Sequence, residues 1–168
     1  MNFQIVRRFS SALTHVNAQG KINMVNVGHK ASSLRTAKAV CYVSVGPEVF
    51  QKIQDNEVKK GDVITTAKIA GIQAAKQTHH LIPLCHSLQL DSVEVNINLQ
   101  DECKSVEITS FVQNFDKTGV EMEALTAVTV AALTIIDMCK AIDKRMKIVD
   151  VYLLEKTGGK SGTFKYKY

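Results

Sequence analysis

Residues 118–140 read TGVEMEALTAVTVAALTIIDMCK, and this stretch decides the fold. It is too long for a strand, and its segment 124–136 carries no charge, so it predicts a buried helix. Thr118 with Glu121 three positions later matches a capping box that would begin the helix. The uncharged run is too short to cross a bilayer, so a sheet or another subunit must cover it.

The segments around this helix predict an α+β fold. Four of them have the composition or alternation of strands: 37–45, 93–99, 105–112 and 148–154. Pro47 suits the first turn of a short helix, and Asp62 suits the N-cap of a second one. This order predicts an antiparallel sheet of ferredoxin-like type with its helices packed on one face. Residues 157–168, TGGKSGTFKYKY, are predicted to be a flexible tail.

The charge distribution argues against nucleic-acid binding. The chain has 168 residues, a length that suits one domain, and its net charge is +5. Residues 1–47 hold six basic residues and no acidic one, whereas the remainder holds 15 basic and 16 acidic residues. The body of the protein is therefore not basic, and its high pI does not indicate nucleic acid. Four scattered cysteines predict free thiols.

The first residues have the composition of a mitochondrial transit peptide. Residues 1–16, MNFQIVRRFSSALTHV, contain arginine and serine but no acidic residue and no continuous apolar core. We expect a transit segment at 1–12, a single catalytic domain at 13–168 and a location in the mitochondrial matrix. The alternative is a disordered basic tail.

Charged residues at the two ends of the long helix are the first candidates for chemistry. Asp137 and Lys140 are three residues apart and share one helix face, where charges in so apolar a helix indicate a site. The alternative is a surface ion pair. Glu121 and Glu123 could simply complement the helix N-terminus, which explains Glu121 better than Glu123.

One loop offers further reactive side chains. Residues 81–88, LIPLCHSL, place Cys85 beside His86, and with His79 and His80 they could form a zinc site. Their spacing matches no standard zinc pattern, so an ordinary structural loop stays the simpler interpretation.

Three lysines lie in turn-like sequences. Lys60 follows another lysine in KKGDV, where a solvated turn is the alternative. Lys156 and Lys160 lie in KTGGKSG, which lacks the first glycine and the following helix of a P-loop. Such a stretch can still offer backbone N–H and ammonium groups to an anion, unless it is only a flexible tail. Together with the carboxylates and histidine, these lysines suit proton transfers on a phosphate-bearing substrate.

Four motifs closely resemble one family. KGDVITTAKIAGIQAAK, LIPLCH, KTGVEMEALTAVTVAALTIIDMCKA and KTGGKSG are similar to the molybdenum cofactor biosynthesis protein C family, the cyclic pyranopterin monophosphate synthases. The resemblance covers about 13–164. It implies a lyase that converts 3′,8-cyclo-7,8-dihydro-GTP, made by a radical SAM GTP cyclase partner, into cyclic pyranopterin monophosphate and pyrophosphate.

The resemblance also implies roles for particular residues. The catalytic positions are Asp137, Lys140, Lys60 and Lys156. Substrate-contacting positions are Leu84, Cys85, His86, Met122 and Glu123. We add as substrate-binding candidates Glu121 and three cations that could neutralise the departing pyrophosphate, Lys160, Arg35 and Lys68.

The family's assembly and cofactor needs complete the expectation. Family members form homohexamers, built as trimers of dimers with sites between subunits, so we expect Arg35 or Lys68 of a neighbour to face the helix end. No metal or other cofactor is expected, although a divalent ion could accompany the pyrophosphate. One departure is Asn26, where the family usually has aspartate.

Two other function classes remain as alternatives. An RNA-binding ferredoxin-like module needs aromatic residues on its central strands, and VEVNINL with SVEITSFV offers only Phe111. A zinc-dependent hydrolase would use the histidines and Cys85 named above. Neither nucleic acid nor a membrane is expected as a partner.

Overall fold

The computed structural model describes residues 21–167, so the predicted transit segment at 1–12 lies outside the described residues. Within residues 21–167 the chain forms five strands and four helices. In chain order they are β1 Ser33–Ser44, α1 Gly46–Gln54, α2 Val63–Lys76, α3 Thr78–Leu81, β2 Ser92–Gln100, β3 Ser105–Asp116, α4 Glu121–Cys139, β4 Lys147–Thr157 and β5 Phe164–Lys165.

The strands form one antiparallel sheet in the order β2-β3-β1-β4-β5. The strand β1 lies at its centre and pairs with β3 along all twelve residues. The hairpin of β2 and β3 is the one that the alternating pattern predicts. An antiparallel sheet with separate helices confirms the α+β class.

The core lies between this sheet and the helices. Alternate residues of β1 are buried on the helix side: Ala37, Ala39, Cys41 and Val43. Helix α4 packs across β1 and β3, and Ser110 Oγ on β3 donates a hydrogen bond to the carbonyl of Ala124 at 2.8 Å. Among the described residues, α4 is long and apolar enough to cross a membrane, but over half of it is buried, as in a core helix.

Close packing of α2 on α4 positions the candidate residues at the helix ends. A Cβ at Gly71 would lie 2.9 Å from the carbonyl oxygen of Ala127, so the two helices approach closely there. Asp62 caps α2, as predicted, by accepting a hydrogen bond from the backbone N–H of Thr65 at 2.9 Å. The start of α2 then lies beside the C-terminal end of α4, where Lys60 contacts Asp137.

Two local predictions are wrong. Helix α4 begins at Glu121 with Val120 as its N-cap and no side-chain capping bond, so Thr118 and Glu121 form no capping box. Val120 is completely buried, and its packing moves the N-cap two residues later than the predicted Thr118. The predicted flexible tail is also wrong for residues 164–165, because they form β5 and pair with Glu155 and Lys156 of β4.

Candidate active site

The C-terminal end of α4 carries a carboxylate held by two lysines. Lys140 Nζ donates to Asp137 Oδ1 at 2.6 Å. Lys60 Nζ donates to Asp137 Oδ2 at 2.8 Å and to the Asp137 backbone carbonyl at 2.9 Å. The prediction that Asp137 and Lys140 share a face is confirmed, and the structure adds Lys60 to them. We call these three residues the carboxylate–lysine cluster.

The two ammonium groups control the ionisation of Asp137. Hydrogen bonds from Lys140 and then Lys60, with their charges, lower the Asp137 pKa to about 2. A carboxylate with so low a pKa is a weak general base near neutral pH. The arrangement therefore suits Asp137 for holding two lysine side chains in position at the surface, where all three side chains are about half exposed.

A cavity of about 340 Å³ lies at the opposite end of α4, and we call it the acidic cavity. Its walls come from residues 25–30, from the loop after α3 and from the first turn of α4. It brings together six residues predicted to bind substrate: Leu84, Cys85, His86, Glu121, Met122 and Glu123.

The acidic cavity contains a buried carboxyl group. Glu123 is only 4% exposed, and burial, reinforced by the charge of Glu121, raises its pKa to about 7. Burial and then the nearby Glu123 charge also raise the pKa of the Cys85 thiol. Near neutral pH, Glu123 can therefore both donate and accept a proton, whereas Cys85 stays a neutral thiol.

His86 fastens one wall of this cavity. Its Nε2 lies 2.8 Å from the backbone carbonyl oxygen of Val25. A carbonyl can only accept, so Nε2 carries the proton in this arrangement. Asn26 next to it accepts a hydrogen bond from the Gly28 N–H at 2.8 Å. The aspartate that the family usually has at this position could accept the same hydrogen bond, so the turn is compatible with either residue.

A second cavity of about 670 Å³ adjoins the first, and we call it the basic cavity. Five cationic side chains and one carboxylate, Glu121, line it, the cations being Lys30, Arg35, Lys117, Lys156 and Lys160. The turn after β4 contributes Gly158 and Gly159, both with positive φ. This excess of positive charge beside a glycine turn suits a phosphate chain.

Arg35 is held in place at the edge of the basic cavity. Its Nε donates to the carbonyl of Asp116 at 3.3 Å, and its Nη2 to the carbonyl of Lys117 at 3.4 Å. A Cβ at Gly159 would collide with Nη1. The positive φ of Gly159 favours glycine at this position, and the missing Cβ lets the guanidinium of Arg35 lie against the turn.

The predicted residues therefore fall into two groups in one chain. Glu121 and Asp137 are separated by most of α4, about 24 Å at the rise of an α-helix. The carboxylate–lysine cluster is thus far from Glu123, and Lys156 lies with Glu121 rather than with Asp137. Lys68, on α2, lines neither cavity.

The zinc interpretation finds no site in the described part of the chain. His79 and His80 lie ring against ring, with centroids 4.0 Å apart, on α3. Within residues 21–167 no three histidine, cysteine, aspartate or glutamate side chains are grouped so that they could hold a metal ion. The four cysteines are free thiols, as predicted.

Several lining residues were not predicted as site residues from the sequence, among them Val25, Val27, Lys30 and Lys117. The residues before β1 have no periodic pattern, so nothing local indicates what they contact. The only available signals were two valines flanking Asn26 and a lysine shortly after them.

Comparison with protein-family models matches residues 24–159 to the MoaC family. The chain belongs to the MoaC family. A curated relative from Salinibacter ruber, named cyclic pyranopterin monophosphate synthase, is 48% identical over 157 residues, covering 94% of this chain and 92% of that protein. The resemblance inferred from the motifs is confirmed, and the matched region contains both cavities except for Lys160 and Ser161 of the basic cavity.

The comparison with solved structures adds nothing to this family assignment. It returns the full extracellular region of zebrafish Gpr126/Adgrg6, at 11% identity and a TM-score of 0.30. The match covers 81% of this chain and 15% of that one. So low a TM-score supports no conclusion about fold or function.

Proposed function

We propose that the protein is a cyclic pyranopterin monophosphate synthase, a lyase of molybdenum cofactor biosynthesis. Membership of the MoaC family and the name of the Salinibacter relative support this activity. The single structural observation that carries it is the contact between the two cavities. The cavity with a proton-exchanging carboxyl suits the base of a nucleoside triphosphate, and the cavity with five cations suits its triphosphate.

The substrate we propose is 3′,8-cyclo-7,8-dihydro-GTP. Its triphosphate would lie in the basic cavity, where Arg35, Lys156 and Lys160 can neutralise the departing pyrophosphate. Its ring system would lie in the acidic cavity, where Glu123 can exchange protons near neutral pH. Closing the cyclic phosphate forms one P–O bond, breaks another and moves the proton of the attacking hydroxyl to a base.

We also propose that a complete site uses two chains. The carboxylate–lysine cluster lies about 24 Å along α4 from the cavities, so it cannot act on the same substrate atoms as Glu123 in its own chain. A second copy can bring its cluster to these cavities. Two apolar side chains, Ile69 on α2 and Leu133 on α4, are 63% and 52% exposed and offer a surface for that contact.

Product analysis tests the activity. The purified protein is incubated with the cyclised GTP, and cyclic pyranopterin monophosphate and pyrophosphate are quantified. We expect Asp137→Asn and Lys140→Met to reduce turnover by at least a hundredfold while the oligomer stays folded. The matched control is Asp101→Asn, which removes another ion pair with a lysine three residues away, at the β2–β3 turn. Absence of product from the wild-type protein would refute the proposed activity.

Subunit mixing tests the two-chain site. Lys140→Met and Arg35→Gln are each inactive alone in this proposal, and they are mixed after dissociation and reassociation. If the cavity of one chain meets the cluster of another, a mixed dimer contains one site with both residues intact, and activity returns. If each site belongs to one chain, no mixture recovers activity.

The cellular setting is proposed from the N-terminal sequence and from the family. We propose a homohexamer, built as a trimer of dimers, that receives its substrate from a radical SAM GTP cyclase in the mitochondrial matrix. Light scattering measures the oligomer. A reporter fused to residues 1–20 tests import, and a diffuse cytosolic signal would contradict it. Deleting residues 1–10 should leave activity in vitro unchanged.

A further inference from the structure

Residues 24–30 run across both cavities without belonging to a helix or strand, and we call this segment the strap. His86 holds it near one end through the carbonyl of Val25, at 2.8 Å. Lys117 Nζ donates to the carbonyl of Gly28 at 3.3 Å. Side chains from the body of the protein thus hold the strap through its backbone, while Val25, Val27 and Lys30 of the strap line the acidic cavity.

Lys30 at the end of the strap lies where the two cavities meet. Four residues line both cavities: Lys30, Thr118, Gly119 and Glu121. Lys30 is the cation among them, and it makes no ion pair with any residue in 21–167. Its backbone N–H closes a turn onto the Val27 carbonyl at 3.0 Å. Any anion that bridges the cavities therefore meets an ammonium group carried by the strap.

We propose that Lys30 is a further anion-binding residue, and that its contact with a phosphate chain fixes the strap over the substrate. His86 and Lys117 act as positioning residues, because they set where the strap backbone lies. The inference rests on the proposed function for the nature of the substrate, but it requires only that a phosphate chain occupies the basic cavity. A lysine on an irregular segment loses conformational entropy on binding, and the charged contact must offset that loss.

Inorganic pyrophosphate is the probe for Lys30, and its affinity is measured by calorimetry on the intact oligomer. Loss of one charged hydrogen bond should weaken binding about ten- to a hundredfold in Lys30→Met. Lys30→Arg should keep most of the affinity because it keeps the charge. The matched control is Lys38→Met, which removes an exposed lysine from the opposite face of β1. Wild-type affinity in Lys30→Met would overturn the proposal.

Hydrogen–deuterium exchange of the strap amides tests fixation and the positioning role. Pyrophosphate should slow exchange at 24–30 in the wild type and in Lys38→Met, but not in Lys30→Met. Without any ligand, Lys117→Met should speed exchange of these amides, which a residue that only binds the anion would not do. If amide exchange at 24–30 is unchanged in both comparisons, the proposal that anion binding and Lys117 fix the strap is refuted.

These readouts separate the strap from the proposed function. Pyrophosphate affinity and amide exchange need no turnover, so a protein without synthase activity can still support the role of Lys30. Conversely, full synthase activity with wild-type affinity in Lys30→Met would leave the proposed function standing and refute only the strap.

Discussion

Replacing Glu123 by glutamine should change how the stability of the protein depends on pH. The Glu123 side chain is 4% exposed, and its neighbours in the acidic cavity include the carboxylate of Glu121, the neutral thiol of Cys85, the imidazole of His86 and the ammonium of Lys30. Glutamine keeps the shape of the neutral carboxyl group but cannot ionise. The variant therefore isolates the free energy of ionising one buried carboxyl.

The magnitude follows from the raised pKa. Burial moves the Glu123 pKa from 4.5 to about 7, and one pKa unit corresponds to about 1.4 kcal/mol. The folded protein therefore binds this proton more tightly than the unfolded chain. Below pH 4.5 both states are protonated and the glutamate costs nothing. As the pH rises from 4.5 to 7, the unfolded chain loses this proton while the folded protein keeps it, so the free energy of unfolding falls by about 3 kcal/mol, an upper bound, and stays level above pH 7.

Urea denaturation between pH 4.5 and pH 8 measures this effect. Glu123→Gln and the wild type should have similar stability at the acid end, and the variant should be more stable by up to about 3 kcal/mol at pH 8. The control is Glu94→Gln, an exposed glutamate on the opposite sheet face. Parallel pH profiles for Glu123→Gln and the wild type would refute the reasoning, because they would show that folding does not raise the Glu123 pKa.

Two further substitutions test the packing. Gly71→Ala should lower the free energy of unfolding by about 1–3 kcal/mol, because its Cβ would lie 2.9 Å from the Ala127 carbonyl; the exposed Gln73→Ala on the same helix should change it little. Asn114→Val should raise it by about 1–3 kcal/mol, because both polar atoms of that fully buried side chain lack partners among the described residues. Denaturant melts measure both, and a destabilised Asn114→Val would reveal a partner such as a buried water.

The sequence predicts those parts of the fold whose cause is local. Alternation predicts β2 and β3, and the proline and aspartate signals predict the starts of α1 and α2. The capping box fails because burial of Val120, a tertiary effect, sets the start of α4. The prediction of a flexible tail is wrong at β5 for a similar reason: two residues carry no sequence pattern, and only pairing with β4 makes them a strand.

The candidate site divides in the same way. Asp137 and Lys140 are predictable from helical spacing alone, since three residues separate them. Lys60 joins them from 77 residues away, which no local rule can predict. The position of the strap is harder still to predict, because it depends on contacts with His86 and Lys117, which are far away in the sequence. The family resemblance predicts Lys60 as a site residue where residue spacing does not, but neither predicts Lys30.

The layout of α4 explains why its two ends carry unlike groups. Between the carboxylate–lysine cluster and the cavities, α4 exposes the apolar side chain of Leu133. If two copies meet across a two-fold axis that is perpendicular to α4 and passes near its middle, the two helices run antiparallel. Each cluster then reaches the cavities of the other copy, and the apolar side chains become covered by the same contact. In the proposed two-chain site, one surface thus accounts for both the exposed apolar side chain and the separation of the predicted catalytic groups.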